Sequence, residues 1–243
     1  MSLSASQIRK ILADHSLSEL LPESSLEPLV RFTQKMLEVN QTLNLTKWVQ
    51  PEDVLRHHIL DSAFGIPSLG NLKPPASSRW MDLGTGGGFP GALVAAAFPE
   101  LDLTFVDSMM KKSQAVQQAL NAAGWKSKVV TARAEDLGRS PATRASWDGV
   151  TARAVADLPV LLEYAMPLLK VGGYLVNWMT EDQIQELGKS QKALDLLHAK
   201  ILEKRVYQLP GLSKNRWILI VEKLEPSPDR YPRLAGQPSK RPL

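Results

Sequence analysis

The chain has 243 residues, 44% of them hydrophobic and 22% charged, a composition that fits one large domain with or without an appendage and excludes wholesale disorder. It has no cysteine, which excludes disulfides, thiolate nucleophiles, thiolate zinc sites and iron–sulfur clusters. The net charge of +4 is unevenly spread: residues 1–70 carry −2, residues 71–225 carry +3, and the last eighteen residues another +3 together with five of the seventeen prolines.

Ile8, Ile11, Leu12 and His15 recur at helical spacing and predict a short helix near 5–15. A longer one is predicted with Ser24 or Ser25 as cap, Pro28 in its first turn, and Leu26, Leu29, Val30, Met36 and Leu37 along one side. A third starts at Pro51, with Glu52 and Asp53 where the helix dipole favours acids, and runs through His57, His58 and Asp61. No strand pattern precedes residue 70, so 1–70 reads as a helical subdomain. Residues 65–79, rich in glycine, proline and serine, read as a linker. The first residues lack the apolar core of a signal peptide. The uncharged run Leu83–Pro99 is too short and too broken by glycine to cross a bilayer. The expectation is a cytoplasmic protein that does not engage a membrane. The four histidines lack a metal-ligand spacing, and no metal site is expected.

Beyond the linker, strand-like runs (Trp80–Leu83, Leu101–Val106, Lys128–Thr131, Gly149–Ala152, Tyr174–Met179) alternate with helical patterns near 90–98, 109–123, 158–170 and 181–199. That alternation predicts a parallel sheet with helices on both faces. Val206–Leu209 and Arg216–Lys223 are joined too briefly for a parallel crossover, so the sheet should end in an antiparallel hairpin. The expected fold class is α/β, a doubly wound, mostly parallel Rossmann-like sheet. Its expected parts are a helical segment 1–70, a core 71–224 and a basic proline-rich tail 225–243.

The strongest local signal is Asp82-Leu83-Gly84-Thr85-Gly86-Gly87-Gly88-Phe89-Pro90-Gly91, between the first strand and the helix after it. Its glycines permit positive φ and let a ligand approach the main chain. Two frames fit: Gly84, Gly86 and Gly88 match the G-x-G-x-G of methyltransferases, and Gly86, Gly88 and Gly91 match the dinucleotide fingerprint. Asp107, after the second strand, suits ribose hydroxyls in either frame. Three features favour the first frame. Asp82 stands where an acid can meet a ligand ammonium and would repel a pyrophosphate. Glu135 follows the third strand, where an adenine amine could be read. The terminal hairpin resembles the methyltransferase variant of the sheet. The rival enzyme class, an NAD-dependent oxidoreductase, rests on the second frame alone and lacks a Tyr-x-x-x-Lys pair.

Further pieces run nearly end to end: Asn44-Leu45-Thr46, His58 with Asp61-Ser62, Asp107-Ser108 with Lys111-Lys112, Arg133-Ala134-Glu135, Ser146-Trp147-Asp148 leading to Arg153-Ala154, and Tyr231-Pro232-Arg233 with Gly236 and Pro238. On these the chain resembles the RsmG/GidB family of small-subunit ribosomal RNA guanine-N7 methyltransferases. The resemblance implies S-adenosylmethionine as cofactor, held by Gly84, Phe89, Asp107, Ala134, Glu135 and Arg153; the loop reading adds Asp82 and Gly86. It implies ribosomal RNA or an assembling small subunit as partner. The chain departs from the family's usual Trp-Asn at Val39-Asn40 and from its Lys-Gly after the fifth strand, at Asn177-Trp178-Met179-Thr180. That second departure motivates a third reading, a catalytically silent RNA-binding or assembly factor.

Guanine N7 carries an in-plane lone pair and no proton, so methyl transfer needs orientation rather than a general base. No catalytic acid or base is named. Lys111 and Lys112 open a helix, where cations are disfavoured by about 0.3–1 kcal/mol each. They are candidates for RNA phosphates, with a solvated lysine pair as the alternative. Arg230, Arg233, Lys240 and Arg241 in the tail are the other RNA candidates, unless the tail is a disordered end or docks on the core through Tyr231 and Pro232. Trp178 is a candidate for stacking on a base. His58 and Asp61 are expected to fix the helical subdomain to the core. A monomer is expected.

Overall fold

The structure, a computed structural model, describes residues 3–243. The first part is helical: α1 (Ala5–Ala13), α2 (Glu23–Leu43), α3 (Pro51–Val54), a π-helical turn (Leu55–Leu60) leading into α4 (Asp61–Ala63), and α5 (Ile66–Asn71). Ser4 and Gln7 cap α1 reciprocally, each side chain bonding the other's backbone amide. α2 begins before the predicted serine cap, at Glu23 after Pro22, and Ser25 is buried within it. α5 replaces the first part of the predicted linker. Pro67 is tolerated in its first turn, and Ile66, Ser68 and Leu69 are buried, so packing overrides a loop-like composition.

The remainder alternates: β1 (Arg79–Leu83), α6 (Gly91–Ala97), β2 (Asp102–Asp107), α7 (Met110–Ala123), β3 (Lys128–Thr131), α8 (Ala134–Arg139), β4 (Trp147–Arg153), α9 (Leu158–Ala165), β5 (Leu169–Thr180), α10 (Glu181–Gln185), α11 (Gln191–Leu196), β6 (Ala199–Tyr207), β7 (Arg216–Lys223) and α12 (Gln237–Lys240). The sheet order is β3-β2-β1-β4-β5-β7-β6. β3 to β5 are parallel, and β7 lies antiparallel between β5 and β6. This is the expected mostly parallel sheet with an antiparallel hairpin.

Several boundaries differ from the sequence reading. The helix expected over 158–170 stops at Ala165, because Pro167 has no amide hydrogen to continue the hydrogen-bond ladder and Leu169 already belongs to β5. The helix expected over 181–199 is broken at a 3-10 turn, Leu187–Ser190, that contains Gly188. β6 starts at Ala199, well before the predicted Val206. The short helices α8 and α12 have no counterpart among the predicted elements.

Successive residues of β1 face opposite layers, as the strand period requires. Trp80 joins the apolar layer formed with α1, α2, α6 and α7, and Met81 joins the layer under α9 and α11. Trp80 covers Gly149 so closely that a Cβ there would lie 2.4 Å from the indole. The helices before residue 70 thus form one layer of the molecule's own core. Among the described residues no helix is long and apolar enough to cross a membrane.

Candidate functional site

The carboxyl ends of β1, β2 and β4 meet at the glycine loop. Gly84, Gly86 and Gly88 all have positive φ, at +65°, +54° and +92°. A Cβ at Gly84 would lie 2.7 Å from Val155, and one at Gly88 would lie 2.4 Å from the Phe32 ring of α2. Both positions therefore demand glycine on two grounds, backbone and space. The loop is pinned from below by Asp82, which is fully buried. Its carboxylate accepts the hydroxyls of Thr85 at 2.5 Å and Thr151 at 2.7 Å. Burial pushes this carboxyl up to about 6, and the two hydroxyls oppose the shift. Asp107 pins the loop from the side: its two oxygens accept the amides of Gly86 at 3.0 Å and Met109 at 2.9 Å.

A cleft of about 520 Å3 opens here, lined among others by Gly84, Asp107, Ala134, Glu135, Val155 and Tyr164. It holds two carboxylates, Asp107 at the end of β2 and Glu135 in the first turn of α8, and a glycine edge without side chains. Glu135 is 3% exposed, and one of its oxygens accepts the Gly236 amide at 2.8 Å. Tyr164 has its phenol shifted up, by burial first and then by the Glu135 charge.

Beside the cleft, Arg153 at the end of β4 binds the helical segment. Its guanidinium donates to the His57 carbonyl at 3.0 Å, to Asp61 at 2.8 Å and to Ser62 at 3.4 Å, and faces His58 Nδ1 at 3.3 Å. Tyr207 donates to the other Asp61 oxygen at 2.7 Å. His58 is neutral in this setting: burial, then Arg153, push it down to about 3. With Nδ1 facing a cation, Nε2 carries the proton and donates to the Thr46 hydroxyl at 2.9 Å. The opposite face of the imidazole region is closed by Phe89, stacked on His58 at 5.0 Å.

A family model described as rRNA small subunit methyltransferase G (GidB) matches residues 25–214. A ribosomal RNA small subunit methyltransferase G of Desulfitobacterium hafniense (strain Y51) is 38% identical over 224 residues, 92% of this chain and 91% of that protein. The one from Streptococcus pneumoniae serotype 19F (strain G54) is 37% identical over 236 residues, covering 96% and 97%. The chain belongs to the GidB family. Among solved structures, a putative sarcosine dimethylglycine methyltransferase from Galdieria sulphuraria superposes with a TM-score of 0.55 at 12% identity, over 78% of this chain and 98% of that one, which shows the fold. Membership decides between the two glycine frames in favour of the methyltransferase.

For this GidB protein the expected site residues divide. Gly84, Asp107, Ala134 and Glu135 line one cleft, joined by Ser108, Arg133, Val155 and Tyr164. Tyr164 carries no sequence signal, since it sits one residue after a fully buried glutamate on an apolar helix. Four other expected residues, Phe89, Arg153, Asp82 and Gly86, are not among those lining that cleft. Phe89 is 5% exposed, edge-on to Phe32 and stacked on His58, so it serves the helix–sheet junction. Arg153 is spent on Asp61 and the π-helical turn. Asp82 is enclosed by two threonine hydroxyls, and Gly86 is tied to Asp107. Trp178 cannot stack on a base: it is 3% exposed, donates to the Asp61 carbonyl at 3.0 Å and abuts Gly65. His58 and Asp61 do fix the helical segment to the sheet.

The tail is docked. Tyr231 is buried in the layer under α9, and Gly138 of α8 lies so close to Pro232 that a Cβ would come within 2.8 Å. Arg144 donates to the carbonyls of Ser227 at 2.7 Å and Tyr231 at 2.6 Å. Of the four RNA cations expected in the tail, Arg233 is committed to Glu163, a carboxylate with no exposure. Arg230 is exposed with its guanidinium over Tyr231. Lys240 and Arg241 are exposed and edge an open cleft of about 720 Å3 with Arg233 and Gln237. On α7, Lys111 is exposed and Lys112 half-buried.

Proposed function

We propose that this chain transfers the methyl group of S-adenosylmethionine to N7 of a guanine in small-subunit ribosomal RNA. The observation that carries the reading is the cleft of Gly84, Asp107 and Glu135 in a chain of this family. When bound, the cofactor supplies an electrophilic methyl on a cationic sulfur. Asp107 would hold the ribose hydroxyls, and the Ala134–Glu135 edge would hold the adenine. The glycine edge at Gly84 would let the ligand approach the main chain.

The residues around the cleft offer orientation and water exclusion rather than proton transfer. His58 is neutral, buried and bonded on both nitrogens, so it is a strut between β4 and the helical segment. That suits N7, which has no proton to lose. N7 sits on the edge that A-form RNA hides in a deep, narrow groove, so the target guanine must be unpaired or splayed. Lys111, Arg230, Lys240 and Arg241 are the exposed cations proposed to meet RNA phosphates. The protein is proposed to act as a monomer in the cytoplasm, on ribosomal RNA or an assembling small subunit.

The test is transfer of label from radiolabelled S-adenosylmethionine to small-subunit ribosomal RNA from cells lacking the protein, with N7-methylguanine mapped afterwards. Cofactor binding without transfer to RNA or subunits would favour the silent assembly factor. No cofactor binding would overturn the proposal.

A further inference from the structure

The docked tail touches the helices that form one wall of the cleft, and it does so at residues of unusual burial. Glu135 lines the cleft from α8 and accepts the Gly236 amide at 2.8 Å. Tyr164 lines it from α9. Next to Tyr164, Glu163 has no exposure and is compensated by Arg233, which meets it through both its backbone amide and its guanidinium. Pro232 packs on Gly138 of α8, and Arg139 of the same helix donates to the Pro232 carbonyl at 3.2 Å. The two short wall helices, six and eight residues long, are thus held by the tail as well as by each other.

We infer that residues 231–239 are a positioning strap for the cofactor cleft, setting Glu135 and Tyr164 through Gly236, Arg233 and Pro232, so that strap and cofactor stabilise each other. This rests on the reading of that cleft as the cofactor site. The strap adds no atom to the reaction. It fixes the rotamer of a cleft carboxylate by occupying one of its two oxygens, and it keeps a buried charge beside the cleft neutralised. An unpaired carboxylate at Glu163 would be strongly disfavoured and would draw α9 toward water. Coupling of this kind is reciprocal: whatever factor the strap adds to cofactor affinity, the cofactor returns to the stability of the strap.

The experiment is hydrogen exchange on the full chain with and without S-adenosylmethionine, joined to calorimetry on two variants. Saturating cofactor should slow exchange at the Gly236 and Arg233 amides about tenfold, a factor usual for coupled sites, along with amides of the cleft edge. Gly138→Ala places a methyl against Pro232, while alanine favours the helix more than glycine does. Arg233→Gln removes the charge facing Glu163. Both should weaken cofactor binding about fivefold or more, measured well below their melting temperatures. Protection of the cleft edge with no change across 231–239 would overturn the strap and leave the cofactor site standing. So would lowered melting temperatures with wild-type affinity in both variants. Failure of the unmodified protein to bind S-adenosylmethionine would overturn the cofactor reading, and the strap with it. A variant that does not fold leaves the exchange measurement on the unmodified protein to decide.

Discussion

Asp82 and His58 are buried titratable groups shifted in opposite directions, Asp82 up to about 6 and His58 down to about 3. For Asp82 the folded state binds the proton more tightly than the unfolded chain. Its contribution is present at low pH and is lost as pH rises from about 4 to 6. For His58 the unfolded chain binds the proton more tightly, so stability is lost as pH falls from 6.5 toward 3, and His57, also shifted down, adds to the same side. Each fully shifted group contributes a slope of about 1.4 kcal/mol per pH unit, so between pH 4 and 6 the two nearly cancel. Asp82→Asn should unmask a stability that rises with pH across that window, and His58→Gln one that falls. Denaturant unfolding of both variants from pH 4 to 7 checks this, and parallel slopes in the two would sink it. Asp107 supports a second prediction. Asp107→Ala should weaken S-adenosylmethionine binding about ten- to a hundredfold, the loss of charge-assisted hydrogen bonds of about 1.5–3 kcal/mol. Calorimetric affinity is the readout, and an unchanged value in a folded variant would place the cofactor elsewhere.

Among the elements, the tail is held most heavily through Arg144. Its guanidinium donates to four carbonyls, those of Gly138, Ser227, Pro228 and Tyr231. Replacing it takes the donor from the Gly138, Ser227 and Tyr231 carbonyls, while Pro228 keeps the Tyr231 amide, so Arg144→Met should cost about 2–4 kcal/mol in urea unfolding. A change below about 0.5 kcal/mol, the size usual for surface substitutions, would show that the apolar docking of Tyr231 suffices. The elements that the sequence discloses are those with a strong local period. The five parallel strands, α1, α2 and α7 emerge from hydrophobic spacing, and the loop from its glycines. α5, α8 and α12 do not, because none exceeds six residues and each exists through packing against distant chain. The site divides on the same line. Gly84, Asp107, Ala134 and Glu135 sit at or just beyond the carboxyl ends of β1, β2 and β3, where topology alone brings them together. Arg153 and Phe89 also lie at or after strand ends in sequence, but their side chains turn toward the helical segment; the sequence reading assigns His58 and Asp61 to docking that segment, but no local pattern pairs them with Arg153, Phe89 and Phe32.

At the scale of the whole molecule, the charge asymmetry of the sequence becomes a surface. The tail's excess is reduced by the Arg233–Glu163 pair, which leaves Arg230, Lys240 and Arg241 outward. Lys240→Ala with Arg241→Ala should make RNA binding less salt-dependent, lowering the log–log slope by about 0.7–0.9 for each phosphate that is no longer neutralised. Binding measured across a salt series decides, and an unaltered slope would take these two residues out of the interface. The sheet order has a consequence of a different kind. β7 lies between β5 and β6, although β6 precedes it in the chain. While the chain is being synthesised, β5 therefore waits with a row of unsatisfied amides and carbonyls along one side until Arg216–Lys223 has emerged. β6 cannot relieve it, since its register partner is β7 alone. Residues 199–223 can fold back on themselves first and dock as a ready-made pair. In the interval the half-built protein is a long apolar edge, open to any other unpaired strand within reach.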